Sequence, residues 1–272
     1  MSNYLKFWGT RGTCAVSGSQ YAYFGGNTSC LEVRYDKTHI LIDAGTGVRP
    51  AGASFLEEGI LKIDLFLSHF HLDHIIGFPY FELLYEPNAE ITLWTPKSRG
   101  RSSQEILQDL FSPEFFPITL KEIKARIHHK TIEENKPVKL GPLTLDFHRT
   151  HHPGVTLCFK IQTPHETIGY VTDNEALPGH TKLIDFLKGC DVLVHEAQYF
   201  PEEYLKKAKW GHSSALNAAA FVEKIGSPKW LVVHHDPKHI DLDLERLFKL
   251  TQKALPNTHV EWVFDSYILP LK

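Results

Sequence analysis

The sequence predicts a layered domain of mixed α and β structure, with sheet packed on sheet and helices outside. Three observations lead there. Short runs rich in β-branched and aromatic residues recur along the whole chain, bounded by Gly, Pro, Asp or Asn. Segments opening on helix-start residues fall between them. No linker-like stretch interrupts this alternation over 272 residues, 42% of them hydrophobic, so residues 1–272 read as one domain with an ample core.

In chain order, strands are expected at Tyr4–Trp8, Cys30–Tyr35, His39–Ile42, Ile63–Ser68, Ile91–Trp94 and Leu143–His148. Further strands are expected at Thr156–Ile161, Thr167–Thr172, Val192–His195, Trp230–His234 and His259–Phe264. Helices should begin near Pro50, Asp73, Ser103, His180, Pro201, Ser213 and Asp241, several with Ser, Asp or Pro where a cap or first-turn residue belongs. Turn residues across Asn135–Pro142 separate two halves of similar content, read as a pseudo-repeat within the one domain.

Composition excludes several classes of function. A net charge of -3 with 22% charged residues leaves no basic field to hold a polyanion, so a folded nucleic-acid partner is poorly supported. The four cysteines, Cys14, Cys30, Cys158 and Cys190, lie far apart with no C-x-x-C pair. That argues against a disulfide framework and a thiolate zinc site and suits a reducing compartment. The opening MSNYLKFWGT lacks signal-peptide architecture, and no run approaches the ~20 apolar residues of a membrane span. A cytoplasmic address, away from membranes, is expected. Histidine stands out, with 17 copies. Imidazole is the commonest metal ligand and a general acid–base near neutral pH, so its clustering is informative.

The densest cluster follows an apolar run, Leu65-Phe66-Leu67-Ser68, and reads His69-Phe70-His71-Leu72-Asp73-His74. In extended chain, residues two apart point the same way, so His69 and His71 can face one side. Asp73 and His74 follow where the chain turns into a helix and swing toward a second point. That offers two imidazoles to one metal and an Asp–His pair to a neighbour.

This segment resembles the H-x-H-x-D-H signature of the metallo-β-lactamase superfamily, and the resemblance runs along nearly the whole chain. It implies an α+β fold, an αββα four-layer sandwich of two mixed sheets packed face to face with the metal site at the sheet edge. The segment LIDAGTG (Leu41–Gly47) resembles the family's aspartate-glycine loop and places Asp43 in support of the ligands. The family also needs a lone His, a bridging Asp and a last His. His152 in HHPG, Asp173 in YVTDNE and His234 in LVVHHDP match in order and context. His151 and His235 are their immediate neighbours. His152 and His234 are preferred because their distances to the following Pro153 and Pro237 fit the family pattern. Asp173 could instead be a strand-end turn residue, and His128 and His129 sit in a polar stretch that reads as solvated. The implied site is dinuclear, with His69, His71 and His152 on one ion, Asp73, His74 and His234 on the other, and Asp173 between them. The donors are all nitrogen or oxygen, so two divalent ions are expected, Zn2+ first, with Mn2+ or Fe compatible.

His195-Glu196-Ala197 and Gly211-His212-Ser213-Ser214 resemble two segments of the tRNA-maturing ribonuclease Z branch. In that branch the equivalent His, supported by the Glu, contacts the phosphate and assists the leaving oxygen. The resemblance thus assigns His212 and Glu196 to catalysis beside Asp73. A plain alternative makes His212 a helix-start residue beside a serine cap. The branch's long tRNA-gripping arm between the lone His and the bridging Asp is replaced here by the hairpin-sized Pro153–Thr172. What remains resembles compact phosphodiesterases acting on small diesters such as cyclic nucleotides or sugar cyclic phosphates, and FWGTRGT and FGGNTSC near the N-terminus also look like that group. Phe70, Tyr80, Tyr199 and Trp210 are candidates to stack on a base, although aromatics near apolar runs more often belong to the core, and none of the four is singled out. The competing readings are an ester, thioester or lactone hydrolase on the same metals and a non-catalytic metal-containing binder. A second subunit in a homodimer could complete the substrate contacts.

Overall fold

A computed structural model describes residues 3–98 and 100–272. The first sheet holds β1 (Tyr4–Gly9), β2 (Cys30–Tyr35), β3 (Thr38–Ile42), β4 (Lys62–Phe66), β5 (Glu90–Pro96) and β6 (Arg126–Ile132). The second holds β7 (Val138–Leu140), β8 (Leu143–Arg149), β9 (Leu157–Gln162), β10 (Thr167–Val171), β11 (Val192–Glu196), β12 (Lys229–Val233) and β13 (His259–Trp262). The last strand, β14 (Ile268–Pro270), crosses back and pairs with β1. Spatial order is β14-β1-β2-β3-β4-β5-β6 in one sheet and β13-β12-β11-β10-β9-β8-β7 in the other. In each sheet one half is antiparallel and the other parallel: β3 to β6 run parallel in the first, β10 to β13 in the second.

The period-two pattern of the strands explains the layering. In β3, Ile40 and Ile42 face the inter-sheet core while Leu41 faces the opposite side. In β12, Leu231 and Val233 face the inter-sheet core and Trp230 and Val232 the other side. Phe66 sits at the centre of the sandwich, stacked on Trp94 at 5.4 Å and edge-on to Phe159 at 6.0 Å. The outer face of the first sheet is covered by α1 (Val48–Glu57) and α3 (Ser103–Leu110), through Val48, Ala51, Phe55 and Leu107. The outer face of the second is covered by α4 (Thr181–Leu187), α6 (Ala215–Ile225) and α7 (Asp241–Ala254), through Leu187, Val222 and Leu247 among others. The short α2 (Leu72–Ile75) and α5 (Pro201–Lys207) complete the α-helices among the described residues. The architecture is the four-layer sandwich, helices on both sides of two packed mixed sheets.

Three strands lie outside the sequence expectation: β6, β7 and β14. Each is an edge strand, paired on one side only. Among the described residues no helix is long and apolar enough to cross a membrane, and the four cysteines are unpaired, with Cys14 exposed.

Candidate metal centre and catalytic pocket

The parallel strands of both sheets deliver their carboxyl ends to one edge, where open α/β sheets commonly bind ligands. Asp43 follows β3, Ser68 to His74 follow β4, Asp173 follows β10, Glu196 ends β11 and His234 follows β12. At Asp43 (φ 67) and His234 (φ 60) the backbone turns left-handed. The strand expected to run to His234 therefore stops short, at Val233, and the strand expected to run to Ser68 ends at Phe66. Such backbone costs a non-glycine residue of order 1–3 kcal/mol and persists only where the surroundings over-determine it.

Three sets of side chains place donor atoms within 4.8 Å of one another: His69, His71, His152 and Asp173; Asp73, His74 and His234; and Asp173, His212 and His234. Asp173 joins the first set to the third. Its Oδ2 lies 3.5 Å from His69 Nε2 and 3.6 Å from His152 Nε2. Its Oδ1 lies 3.3 Å from His74 Nε2 and 3.2 Å from His234 Nε2. Asp73 Oδ2 stands 3.3 Å from His74 Nε2 and 3.2 Å from His234 Nε2, and accepts the Thr13 backbone N–H at 2.7 Å.

Hydrogen bonds behind the cluster fix which imidazole nitrogens face it. Asp43, fully buried, accepts from Ser68 N (2.7 Å), Ser68 Oγ (2.9 Å) and His74 Nδ1 (2.8 Å). Because the Ser68 hydroxyl donates to Asp43, it accepts from His69 Nδ1 at 3.0 Å. His152 Nδ1 donates to Gly211 O at 2.9 Å. Each of these rings thus carries a proton on Nδ1 and turns Nε2 inward, the nitrogen left for a metal. At His74 burial is outweighed by Asp73, Asp173 and Asp43, which raise the imidazole well above its ordinary value, so an ion there would displace a proton. His69 Nε2 and His74 Nε2 are buried with no hydrogen-bond partner. Orphaned inward-facing nitrogens beside two buried carboxylates, in a set of imidazole and carboxylate donors only, fit divalent ions.

Electrostatics follow the same geometry. Burial and the neighbouring His74 push the His69 imidazole well below its ordinary value, and burial pushes His152 down to about 4. Burial opposes charge on Asp173, yet His234, His74 and His69 outweigh it and hold the carboxyl well below its usual range. At His212, burial is outweighed by the Glu196 carboxylate, with Asp173 and Asp73, and the imidazole rises to about 9. Glu196 Oε1 accepts from His212 Nδ1 (3.0 Å) and Asn174 N (2.7 Å), and its Oε2 from Ser213 N (3.0 Å). The helix cap is Ser214, which accepts from Asn217 N at 3.1 Å. The His212 ring stacks on His234 (5.1 Å) and meets His152 edge-on (4.9 Å). Distance to Asp173 and His234 also brings His212 within one of the donor sets.

The two neighbouring histidines point elsewhere. His151 is exposed and packs on His180 at 4.2 Å, while His235 is buried, donating Nε2–H to Val263 O at 2.8 Å and stacking on Trp262. His128 and His129 lie exposed on β6. Phe70 lines a cleft of about 230 Å³ beside His69 and His71, whose other wall includes Lys97 and Pro153. Of the other stacking candidates, Tyr199 is buried, and Tyr80 and Trp210 are exposed.

Several supporting residues escaped the sequence reading. A Cβ on Gly12 would lie 2.3 Å from the His234 ring, so only glycine lets that loop pass. Glu175, in the YVTDNE segment, is buried and accepts from Lys209 N (2.8 Å), Gly211 N (3.3 Å) and Tyr204 Oη (2.7 Å). It thereby holds the turn whose Gly211 carbonyl orients His152. Its acidic character beside Asp173 was the only signal available in the sequence.

The profile of the Beta-lactamase superfamily domain matches residues 38–235, a span containing every donor of the cluster. The chain belongs to the β-lactamase superfamily. Within that superfamily it is similar to ribonuclease Z of Lacticaseibacillus casei (strain BL23), 24% identical over 277 residues covering 85% of this chain and 86% of that protein. It is also similar to the probable metallo-hydrolase YhfI of Bacillus subtilis (strain 168), 24% identical over 199 residues covering 72% and 74%. The crystal structure of YhfI from Bacillus subtilis superposes with a TM-score of 0.74 at 18% identity, over 99% of both chains. That of a diphosphatase from the PhnP family superposes at 0.72 and 18% identity, over 99% of this chain and 98% of that one. This superfamily member is an enzyme, a metallo-hydrolase with a His/Asp cluster able to bind metal.

Proposed function

We propose that this chain is a dinuclear phosphodiesterase acting on a small diester of the cyclic nucleotide or sugar cyclic phosphate kind. His69, His71 and His152 would hold one divalent ion, Asp73, His74 and His234 the other, and Asp173 both; zinc suits these donors, as do manganese and iron. Such a pair supplies Lewis acidity toward phosphoryl oxygen and a water ionised near neutral pH. The protein's own residues do the rest. Asp43, Ser68 and Gly211 O hold the imidazoles in the tautomer that leaves Nε2 free. Glu196 holds His212 Nδ1–H, so the opposite nitrogen is available to give a proton to a departing alkoxide. His152 and His234 pack against the His212 ring and restrict it to that orientation.

The observation that carries this reading is the Glu196–His212 pair at 3.0 Å, seated against the donor cluster. An alkoxide leaving group needs a proton donor, worth roughly 10²–10⁴-fold, whereas a thioester or activated ester does not. Relatives named ribonuclease Z and diphosphatase support phosphorus chemistry. A net charge of -3 and the plain β9–β10 hairpin between His152 and Asp173 favour a small substrate over folded RNA. A cytoplasmic setting agrees with the unpaired cysteines.

The test is to assay metal-loaded protein on bis-p-nitrophenyl phosphate, on cyclic nucleotides and on thioesters and lactones. Diester cleavage is expected, and turnover of carboxylic substrates alone would overturn the proposal. In the same assay His212→Ala should reduce cleavage of alkoxide-leaving diesters about 10²-fold or more beyond its effect on p-nitrophenolate ones. Equal losses would remove His212 from the acid role.

A further inference from the structure

Of the five tryptophans, Trp210 alone is largely exposed, at 61%; Trp8, Trp230 and Trp262 are buried and Trp94 is half-buried. Its exposure is not that of a loose loop. Lys209 (φ 71) and Gly211 (φ 92) on either side both adopt left-handed backbone. The N–H groups of those same two residues are bound by the buried Glu175 carboxylate, at 2.8 and 3.3 Å, and Trp210 N bonds Lys207 O at 3.1 Å. A buried carboxylate is costly unless its oxygens are satisfied, and the hydrogen bonds Glu175 accepts come from Tyr204, Lys209 and Gly211, all in the stretch that ends in this turn.

The underside of the turn belongs to the active site. Gly211 O accepts the hydrogen bond from His152 Nδ1–H, and a Cβ on Gly211 would lie 2.4 Å from that nitrogen. Consecutive Cα atoms are about 3.8 Å apart, so the indole is anchored within two residue lengths of His212. The same stretch of chain carries Lys206 and Lys209, both exposed, whereas Lys207 is paired with Asp236 at 3.1 Å and lies over the Tyr199 ring at 4.0 Å. Leu205 is the other large exposed apolar side chain of this stretch. A single exposed indole in a stretch that also exposes two lysines suits an aromatic anion better than the continuous apolar surface of a subunit contact.

We propose that Trp210, on the turn held by Glu175, is the platform on which the nucleobase of the substrate stacks. This rests on the phosphodiesterase reading and selects, within it, nucleotide diesters over base-free sugar phosphates. Stacking on an aromatic side chain is sequence-tolerant, so purine and pyrimidine bases would both be accepted, purines with lower KM.

The test compares wild type, Trp210→Ala and Trp210→Phe, metal-loaded, on adenosine 2′,3′-cyclic phosphate and on base-free ribose cyclic phosphate. Trp210→Ala should raise KM for the adenosine diester roughly 5- to 100-fold, with kcat within about twofold. It should leave the ribose diester unaffected, and Trp210→Phe should recover most of the loss. Independently, AMP should quench the exposed-tryptophan fluorescence of the wild type, ribose 5-phosphate should not, and the quench should vanish in Trp210→Ala. Equal KM losses on both diesters, an AMP quench that survives in Trp210→Ala, or a smaller sedimenting species for that variant would overturn the proposal. If wild type cleaves neither these diesters nor bis-p-nitrophenyl phosphate nor 3′,5′-cyclic nucleotides, the phosphodiesterase reading fails instead, and the fluorescence arm still decides whether Trp210 binds a base.

Discussion

Replacing Asp43 by Asn changes one oxygen to an amide nitrogen at a position with no solvent access. The left-handed backbone there (φ 67) is one Asn tolerates, so the substitution isolates the hydrogen bonding. If the amide oxygen keeps Ser68 N–H, the NH2 group faces two partners that now donate, Ser68 Oγ at 2.9 Å and His74 Nδ1 at 2.8 Å. Both must reverse. His74 then accepts on Nδ1 and carries its proton on Nε2, and Ser68 turns its hydroxyl toward His69 Nδ1 (3.0 Å), forcing the same change on His69. One imidazole in each metal set would thus present N–H to its ion. Loss of such an orienting partner typically costs 10–100-fold in metal affinity, about 1.4–2.7 kcal/mol per ion. Chelator-competition titration of zinc into the apo forms of wild type and Asp43→Asn measures it, with circular dichroism to show that the variant is folded. Wild-type affinity at both ions in a folded variant would refute the tautomer argument.

Other outcomes follow from the same geometry. His152→Ala should lose close to one ion per chain by elemental analysis while His151→Ala keeps the wild-type content. His235→Ala should also keep both ions yet lower stability by about 1–3 kcal/mol, because Val263 O loses its buried donor; urea unfolding reads this. Gly12→Ala drives a methyl into the His234 ring (2.3 Å) and should weaken metal retention with little loss of secondary structure, checked by metal content and circular dichroism. Chelation should lower the melting temperature by on the order of 5–10 °C for each ion present at about 100 times its Kd, and added zinc should restore it; an unchanged melting curve would contradict a structural metal contribution.

The sequence exposed what is local and periodic. Eleven strands and seven helix starts were legible because they carry apolar alternation or end signals, as in β3, where Ile40 and Ile42 face one layer and Leu41 the other. β6, by contrast, reads Arg-Ile-His-His-Lys-Thr-Ile and is mostly exposed, so no hydrophobic pattern marks it. It exists because its backbone completes the edge beside β5, a long-range cause. At three residues each, β7 and β14 are too short for any period to show. In the site, the cluster from His69 to His74 was legible from density alone. His152 and His234 needed the family resemblance to separate them from His151 and His235, since both members of each pair are imidazoles at a strand end. Nothing in the sequence could place Gly12 against His234, Thr13 N on Asp73, or Glu175 under the 209–211 turn, because those contacts join segments 60 or more residues apart or depend on left-handed turns.

Anomalous diffraction from crystals of the metal-loaded protein, collected either side of the metal absorption edge, bears most directly on the central claim. Two peaks per chain are predicted, one among His69, His71 and His152, the other among Asp73, His74 and His234, with Asp173 reaching both. A single peak, a peak ligated by His151 or His235, or none at this edge of the sandwich would contradict it.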